Sequence, residues 1–437
     1  MTELLVPAGS PDVFRTAVRY GAGAVYIGGE AFSLRAGAAN FSPDEMRQAV
    51  ELAHLNGVKV HVTANILAHN ADLKEADAYF RELNDIRPDA ILVADPGMFA
   101  LARRLCPDID LHISTQANNT NYATCLFWRD MGAKRIVMAR ELSLDEIREI
   151  REKVPRDTEI EAFVHGAMCI SYSGRCLLSS YFTGRDANRG ACAHPCRWQY
   201  RLMTNDLTDA PASYALEEAT RPGEYLPVEE NERGTFLYNS KDLCMVDHLP
   251  DLYEAGIDSF KIEGRMKTAL YVATTTRTYR QAMTAYETDP ALYEARLDWL
   301  RDEITEGTYR DFTTGFFYGR PDETAQVYRR STYLKTSTYL GIVDDYDGGD
   351  RICLRQKNKF SVGEIIEILK PDGRNVRAEV AGIVGGDGIP VKSAPHPLEE
   401  LTVRLAYLDE EPGFEPTGTG GPARPEIGDV IRRREKG

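Results

Sequence analysis

The first part of the chain alternates short apolar runs with amphipathic stretches. ELLVPA (3–8) precedes PDVFRTAVRYG, AVYIGG (24–29) precedes SPDEMRQAVELAHLNG, and KVHVTANI (59–66) precedes DLKEADAYFRELNDI. Short apolar runs bounded by turn residues are typical of buried strands, and the stretches behind them have the apolar spacing of helices. Ser42 and Ser143 stand where helix N-caps are expected. The pattern therefore predicts repeated strand–helix units.

The same alternation continues along most of the chain and then stops. Further strand-like runs are AILVAD (90–95), DLHISTQ (110–116), KRIVMAR (134–140), EIEAFVH (159–165) and SFKIEGR (259–265). Eight strand–helix units predict an α/β fold, a (β/α)8 TIM-like barrel at residues 1–334 with a cysteine-rich insertion after the seventh strand, at 166–240. Short strands between Gly, Asp and Pro turns then predict a small all-β, barrel-like C-terminal domain at 335–437.

Strand alternation predicts a polar barrel interior, because every second strand residue points toward the barrel axis. The inward residues are His61, Thr63 and Asn65 on the third strand, His112, Ser114, Gln116 and Asn118 on the fifth, Glu161 and His165 on the seventh, and Lys261, Glu263 and Arg265 on the eighth. Barrel interiors are normally filled with branched apolar residues. This polarity therefore indicates either a functional site or a hydrogen-bonded structural network.

Position along each strand favours a site at one end of the barrel. Active sites of this fold lie at the C-terminal ends of the strands. The residues predicted there are Asn65, Asp95, Gln116, Asn118, Arg140, His165 and Arg265. His61 and His112 lie deeper, and we expect them to be core residues. Lys241, where the chain returns toward the barrel, either faces this site or is an ordinary surface lysine.

A loop directly after the seventh strand holds four of the eight cysteines. The spacing C-x6-C-x15-C-x3-C is made by Cys169, Cys176, Cys192 and Cys196. Four thiolates in one loop hold an iron–sulfur cluster or a structural zinc, and the wide first gap favours the cluster because zinc cysteines usually come in pairs roughly two to four residues apart. Four unrelated buried thiols are a third interpretation, but such thiols belong on apolar faces. The metal loop and the polar residues are thus expected to form one site.

Charge and composition limit the possible partners and compartment. The formal net charge of −15 argues against a broadly basic nucleic-acid surface, so any RNA contact must be local. Residues 205–233 carry eight carboxylates against two arginines and predict a solvated, flexible insertion. No apolar run reaches the roughly 20 residues that cross a bilayer, and no signal-peptide pattern opens the chain. We therefore expect a cytoplasmic protein, without a membrane segment, whose thiols stay reduced.

The sequence blocks around the cysteines resemble those of a known family. EAFVHGAMCISYSGRCLLS is similar to the signature of the peptidase U32 (collagenase-like) family, and NRGACAHPCRW, KIEGRMKT (261–268) and TTGFFYG (313–319) follow in that family's order. Several branches of the family are oxygen-independent hydroxylation proteins that act on RNA bases or on a quinone precursor. The chain looks most like the prephenate-dependent branch that forms 5-hydroxyuridine at the tRNA wobble position.

This resemblance implies an enzyme that hydroxylates a tRNA uridine with a 4Fe-4S iron–sulfur cluster on the four cysteines and with prephenate as co-substrate. The base would have to leave its stack to enter the barrel. The candidate catalytic residues are His165, Glu161, Arg265 and Glu263, since a histidine or a buried carboxylate can titrate near neutrality. The candidate substrate-binding residues are Gln116, Asn118, Arg140, Lys241 and Arg197, with Arg35 and Arg185 as further anion contacts.

Two other functions remain open at this stage. The family name implies a peptidase, but the sequence has no H-E-x-x-H zinc helix and no G-x-S-x-G elbow. Some branches of the family resemble obligate pairs. The chain is therefore alternatively a hydroxylation subunit that acts on another substrate together with a related family member as its partner.

Overall fold

Eight parallel strands close into a barrel in the first part of the chain. The computed structural model describes residues 2–33, 40–169, 171–172, 175–185, 187, 191–198, 200–204, 214–218, 222–223, 225–228, 240–321, 325, 334–408 and 423–435. The barrel strands are β1 (Glu3–Pro7), β2 (Ala24–Gly28), β3 (Lys59–Ala64), β4 (Ala90–Val93), β5 (Asp110–Ile113), β6 (Arg135–Val137), β7 (Glu159–Ala167) and β12 (Ser259–Ile262). They pair in the order β12-β1-β2-β3-β4-β5-β6-β7, and β12 pairs with β7 to close the ring. The predicted barrel is confirmed.

Helices cover the outside of this barrel, and two of them begin at the predicted caps. They are α1 (Pro11–Arg19), α2 (Pro43–Leu55), α3 (Leu73–Ile86), α4 (Pro96–Leu105), α5 (Tyr122–Asp130), α6 (Leu144–Lys153), α8 (Leu249–Glu254), α9 (Ala269–Thr288) and α10 (Pro290–Ile304). Ser42 and Ser143 both form capping boxes, with Glu45 and Glu146 as their partners. Asp95, which we predicted to line the site, instead caps α4 through bonds from the backbone N–H groups of residues 97 and 98. Among the described residues, no helix is both long enough and apolar enough to span a bilayer.

The insertion after β7 contains more order than its composition predicts. A short helix, α7 (Leu178–Thr183), lies among the cysteines and is followed by an antiparallel sheet of β8 (Tyr200–Thr204), β9 (Tyr214–Glu218) and β10 (Tyr225–Val228). The expectation of a wholly flexible 205–233 segment is therefore wrong for β9 and β10, and most of its other residues lie outside the described ranges. β11 (Asp242–Cys244) then pairs with the end of β7 and with β14 (Phe312–Thr313).

The C-terminal domain is an all-β barrel, as predicted. After the short pair β13 (Thr308–Tyr309) and β15 (Leu334–Lys335), its strands are β16 (Ser337–Tyr346), β17 (Arg351–Arg355), β18 (Phe360–Ser361), β19 (Ile365–Leu369), β20 (Asn375–Gly385), β21 (Pro390–Val391), β22 (Ser393–Ala394), β23 (Glu400–Tyr407) and β24 (Val430–Arg434). The order β19-β24-β16-β17-β23-β20 closes through a pairing of β19 with β20.

Buried polar contacts join the two domains. The Tyr20 hydroxyl donates to the Leu369 carbonyl at 2.7 Å. Glu303 of α10 accepts from Arg277 of α9 and, at 2.8 Å and 3.0 Å, from Arg432 of β24. All three charged side chains are almost fully buried. Removing one partner of such a network leaves an uncompensated buried charge, so these contacts hold the C-terminal domain firmly against α9 and α10.

Candidate functional site

An ion network fills the lower interior of the barrel, toward the N-terminal ends of the strands. Glu161 is fully buried and accepts from Lys261 Nζ at 2.8 Å and from Arg135 Nη1 at 2.9 Å. Arg135 also contacts Glu3 and Glu159. Burial by itself raises the pKa of Glu161, but the charges of Lys261 and Arg135 outweigh it, so this pKa lies below its usual value. Glu161 is therefore an ion-paired carboxylate here, and its proton-transfer role stays a prediction.

Two histidine rings contact each other in the lower interior of the barrel. The ring centroids of His61 and His112 lie 4.9 Å apart in a T-shaped arrangement, and both rings are buried. Burial lowers the pKa of His61 to about 4 and lowers the pKa of His112 well below its usual value. Both rings are thus neutral near pH 7, and their predicted burial in the core is confirmed.

His165 does not point into the barrel, contrary to the alternation of β7. Its ring packs against Tyr271 and Tyr279 of α9 and against Phe312, with centroid distances of 6.0, 5.6 and 5.6 Å. The cause is a register shift, because Lys261 pairs with Phe163 while the next residue of β12 pairs with His165. An extra residue on one strand changes the face of the residues that follow it. Burial, with a smaller contribution from Lys267, lowers the pKa of His165 to about 3.

Arg265 organises the mouth of the barrel, at the C-terminal ends of the strands. Its side chain is buried and inward, as predicted, and its Nη1 donates to Ser33 Oγ at 2.5 Å and to Thr63 Oγ1 at 2.7 Å. Its Nη2 donates to Asn40 Oδ1 at 3.3 Å. Thr63 was among the predicted inward residues. Ser33 and Asn40 were not, because they lie beyond β2, where no strand pattern assigns a direction to a side chain.

A network of amides and a hydroxyl lies across the mouth from Arg265. Asn65 Nδ2 donates to Ser114 Oγ at 3.0 Å and to Gln116 Oε1 at 3.1 Å, and Ser114 also donates to Gln116 Oε1. Gln116 and Asn118 were predicted to lie on the fifth strand, and this prediction is wrong. β5 ends at Ile113, and residues 115–117 form a 3-10 turn. Asn118 ends this turn with φ of 56°. The turn nevertheless directs Gln116 into the mouth.

These two networks line an open cavity of about 40 Å³. Tyr26 and Phe163 form part of its wall, and Lys261 and Glu263 line it together with Arg265. A water molecule needs about 10–15 Å³ of such a cavity, so this cavity has room for only a few water molecules. A base could enter only if the hydrogen bonds of the mouth rearranged.

Arg140 connects this mouth to the cysteine loop. Its Nη1 donates to the Ala167 carbonyl at 2.7 Å, and its Nη2 lies 3.8 Å from Cys169 Sγ. The guanidinium carbon lies 4.8 Å from the centroid of the Phe163 ring, which forms part of the cavity wall. The predicted proximity of the cysteine loop and the polar site is therefore present at Cys169.

The structure assigns no ligand geometry to the four cysteines of the loop. All four are free of disulfides, with Cys169 exposed and the other three half-buried. Cys192 Sγ lies 3.9 Å from His194 Nδ1. Within the described ranges, no three His, Cys, Asp or Glu side chains are arranged to hold a metal ion. Four cysteine thiols in one loop, with Cys169 beside Arg140, do fit the donor chemistry of an iron–sulfur cluster, and the metal role of Cys176 and its companions stays a prediction.

The remaining predicted anion contacts are Lys241, Arg185, Arg35 and Arg197. Lys241 is half-buried, and its backbone N–H donates to the Ala325 carbonyl at 3.0 Å. Arg185 is exposed at the end of α7. Arg35 and the side chain of Arg197 lie outside the described part of the chain. These four assignments stay predictions.

A barrel whose mouth gathers a guanidinium, amides and nearby thiols has the architecture of an enzyme. Residues 9–327 match the sequence profile of Peptidase family U32, and residues 335–414 match that of the Peptidase family U32 C-terminal domain. The chain belongs to this family, which confirms the resemblance seen in its sequence blocks.

Three similar proteins align with about nine-tenths of this chain. The tRNA hydroxylation protein P1 of Bacillus subtilis (strain 168) is 40% identical over 404 residues, which are 92% of this chain and 92% of that protein. The tRNA hydroxylation protein P of Escherichia coli (strain K12) is 38% identical over 89% of this chain and 92% of its own length. The 23S rRNA 5-hydroxycytidine C2501 synthase of Escherichia coli (strain K12) is 35% identical over 89% of this chain and 52% of its own length.

Proposed function

We propose that this chain is an RNA-modifying enzyme that hydroxylates the wobble uridine of tRNA to 5-hydroxyuridine. The observation that carries the proposal is the 40% identity to a tRNA hydroxylation protein across 92% of both chains. The similar rRNA 5-hydroxycytidine synthase extends the same chemistry to a second RNA base. Within this proposal the reaction is oxygen-independent, and prephenate is the co-substrate.

The mouth of the barrel supports this proposal, because it holds groups that could bind a base and an anionic co-substrate. The guanidinium of Arg265 is held by Ser33, Thr63 and Asn40 in a fixed orientation, which suits bidentate binding of a carboxylate or a phosphate. Asn65 and Gln116 offer amide groups that can hydrogen-bond to the edge of a base. The base must be unstacked from the RNA to reach them.

The four cysteines are proposed to hold a 4Fe-4S cluster beside this mouth. Such a cluster supplies one-electron redox chemistry, at a potential that hydrogen bonds to its sulfurs and nearby charges adjust. Arg140, with its Nη2 at 3.8 Å from Cys169 Sγ, would provide one such charge. His165 and Glu161 keep their candidate catalytic roles only if the strand end rearranges, since one faces α9 and the other is ion-paired.

A peptidase is the second candidate function. The observation in its favour is the approach of Cys192 Sγ to His194 Nδ1 at 3.9 Å, because a thiol peptidase pairs its nucleophile with a histidine base. A hydroxylation subunit that needs a related family member is the third. Assaying the purified chain alone and with that partner separates the one-chain from the two-chain hypothesis.

Nucleoside analysis tests the proposed function directly. Bulk tRNA from cells lacking the gene is expected to lose 5-hydroxyuridine, and the wild-type gene should restore it. Each single Cys→Ala change at 169, 176, 192 or 196 should lower iron, acid-labile sulfide and 5-hydroxyuridine together, because a site of four thiolates has lost a ligand.

The matched control is Cys353→Ala, in the C-terminal domain, which should leave all three quantities unchanged. If Cys192→Ala alone abolished activity while iron and sulfide stayed at wild-type levels, Cys192 would be a reacting thiol and not a ligand of the cluster. Stoichiometric zinc without iron after anaerobic purification would also exclude the cluster.

A further inference from the structure

A second and larger cavity opens beside Cys169, at the same end of the barrel as the mouth. Its volume is about 510 Å³, against about 40 Å³ for the cavity at the mouth. Sites for small molecules generally occupy roughly 300–1,000 Å³. The cavity lies between the loop joining β6 to α6, the loop that leaves β7, and the turn that follows β14. We call it the Cys169 groove, and it is large enough to hold a nucleotide without rearrangement of the barrel.

One wall of the groove is fixed to the barrel. The backbone N–H of Leu144, the first residue of α6, donates to the Phe317 carbonyl at 3.0 Å, and the Phe317 side chain is buried. The N–H of Gly319 donates to the Phe316 carbonyl at 3.0 Å and closes the turn. Arg320 follows this turn and lines the groove. Its backbone is therefore placed by hydrogen bonds that do not depend on the cysteine loop.

The groove presents an aromatic face and a cation. Tyr172 lines it, and this side chain is 46% exposed, so its ring is accessible to a ligand. The exposed side chain of Arg320 stands on another wall. Aromatic rings that stack on bases and arginines that contact phosphates are the two elements by which proteins bind unpaired nucleotides.

Two carboxylates, Glu141 and Glu146, also line the groove. Glu146 is engaged in the capping box of α6, where it accepts from the Ser143 N–H and hydroxyl, both at 2.8 Å. Burial raises the pKa of Glu141, and the charge of Arg140 only partly opposes that rise. Glu141 is therefore less readily ionised than an exposed glutamate, and Glu146 is turned toward the helix end.

We propose that the Cys169 groove holds an unpaired nucleotide of the RNA substrate, with its base stacked on Tyr172 and its phosphate in contact with Arg320. This inference rests on the proposed function, because the occupant is taken to be RNA. Arg140 lies between Cys169 and the Phe163 wall of the mouth cavity, so a nucleotide in the groove would adjoin the mouth. The groove also supplies the local RNA contact that a chain with a net charge of −15 requires.

Binding of RNA to the full-length, anaerobically purified chain tests this inference. The probes are an unmodified anticodon stem-loop and a fully paired RNA duplex of equal length. Tyr172→Ala should weaken stem-loop binding about tenfold or more, the usual result of losing one base–aromatic stack, while Tyr172→Phe should bind like the wild type. Arg320→Ala should weaken binding and lower the slope of log K against log salt by about one. Duplex binding should not change with Tyr172→Ala.

The matched control is Tyr181→Ala. This tyrosine lies in the same loop, on α7, and is 78% exposed, but it does not line the groove. Equal affinity of Tyr172→Ala and Tyr181→Ala for the stem-loop would overturn the inference, and so would equal weakening of duplex binding by Tyr172→Ala. Both variants should unfold at the wild-type denaturant midpoint, which shows that lost affinity is not lost folding.

Failure of this inference is distinguishable from failure of the proposed function. If deletion of the gene removes 5-hydroxyuridine but Tyr172→Ala binds the stem-loop normally, the groove inference alone is wrong. If deletion leaves 5-hydroxyuridine unchanged, the proposed function is wrong, and selective loss of stem-loop binding by Tyr172→Ala would still support the groove as an RNA site.

Discussion

The lower interior and the mouth of the same barrel bury polar groups in different ways. In the lower interior the carboxylate of Glu161 is paired with the cations of Lys261 and Arg135. At the mouth the guanidinium of Arg265 donates to the hydroxyls of Ser33 and Thr63, and the neighbouring bonds join neutral amide and hydroxyl groups. Both regions look alike in the sequence, as inward polar residues on barrel strands.

The difference between these regions lies in what it costs to disturb them. Removing one partner of a buried ion pair strands a charge and costs roughly 3–5 kcal/mol. Exchanging one neutral hydrogen bond for another with a ligand costs far less, since the net contribution of each is about 1 kcal/mol. The lower network is thus suited to stabilising the barrel, whereas the neutral bonds among Asn65, Ser114 and Gln116 at the mouth can reorganise around a substrate.

The largest expected effect comes from breaking the lower network. Arg135→Met should reduce the free energy of unfolding by about 3–5 kcal/mol, because it leaves the buried Glu161 and the half-buried Glu3 with fewer cations. Denaturant titration of the purified chain measures this change. The control is Arg129→Met, which removes an exposed ion pair with Asp157 and should change stability little. If both variants were equally stable, the lower network would not be a stabilising element.

The next effect concerns Arg265 at the mouth. Arg265→Lys should keep the fold and the iron content. It should reduce transition-state stabilisation by ~2 kcal/mol or more, because an ammonium group cannot make a bidentate contact or reach all three partners of the present guanidinium. The 5-hydroxyuridine content of tRNA from cells carrying the variant measures the loss. The matched control is Arg81→Lys, an exposed arginine on α3 that is paired with Asp77. Wild-type levels with Arg265→Lys would remove this residue from the site.

The smallest effect on activity is expected at His165, which lies on the α9 side of β7. Its folded pKa is about 3, whereas an unfolded histidine titrates near ~6.5. The unfolded state therefore binds more protons between these values, and stability falls as the pH drops through this window, by at most ~1.4 kcal/mol per pH unit for this group. His165→Phe should reduce the slope of the unfolding free energy against pH by an amount that corresponds to at most one bound proton. It should leave 5-hydroxyuridine close to the wild-type level.

Unfolding titrations of the wild type and His165→Phe between pH 4 and pH 7 check the slope. Other buried groups titrate in the same range, so the difference between the two proteins isolates His165. A large loss of 5-hydroxyuridine together with an unchanged pH slope would return His165 to the catalytic site and contradict its placement against Tyr271 and Tyr279.

The sequence by itself determined the order and kind of the elements. Apolar spacing and helix caps are local properties, so the eight strands, the capping boxes at Ser42 and Ser143 and the change to a β domain near residue 335 could all be predicted. The inward direction of Thr63 also followed, because the period of two holds in an unbroken strand. Arg265 points inward as predicted, but β12 ends at Ile262 rather than at residue 265, so Arg265 lies in the turn beyond the strand and alternation does not explain its direction. The family blocks around the cysteines were equally visible, since each is a contiguous run.

Only the tertiary structure decided features that depend on a partner distant in sequence. The shift that turns His165 toward α9 arises between β7 and β12, about 100 residues apart, and no pattern within β7 can reveal it. Ser33 and Asn40 converge on Arg265 across more than 200 residues. Some inward polar residues are ion-paired, like Glu161, and others lie at an open cavity. The closed barrel decides between these cases, because the electrostatic environment of a side chain is set by its neighbours in space rather than in sequence.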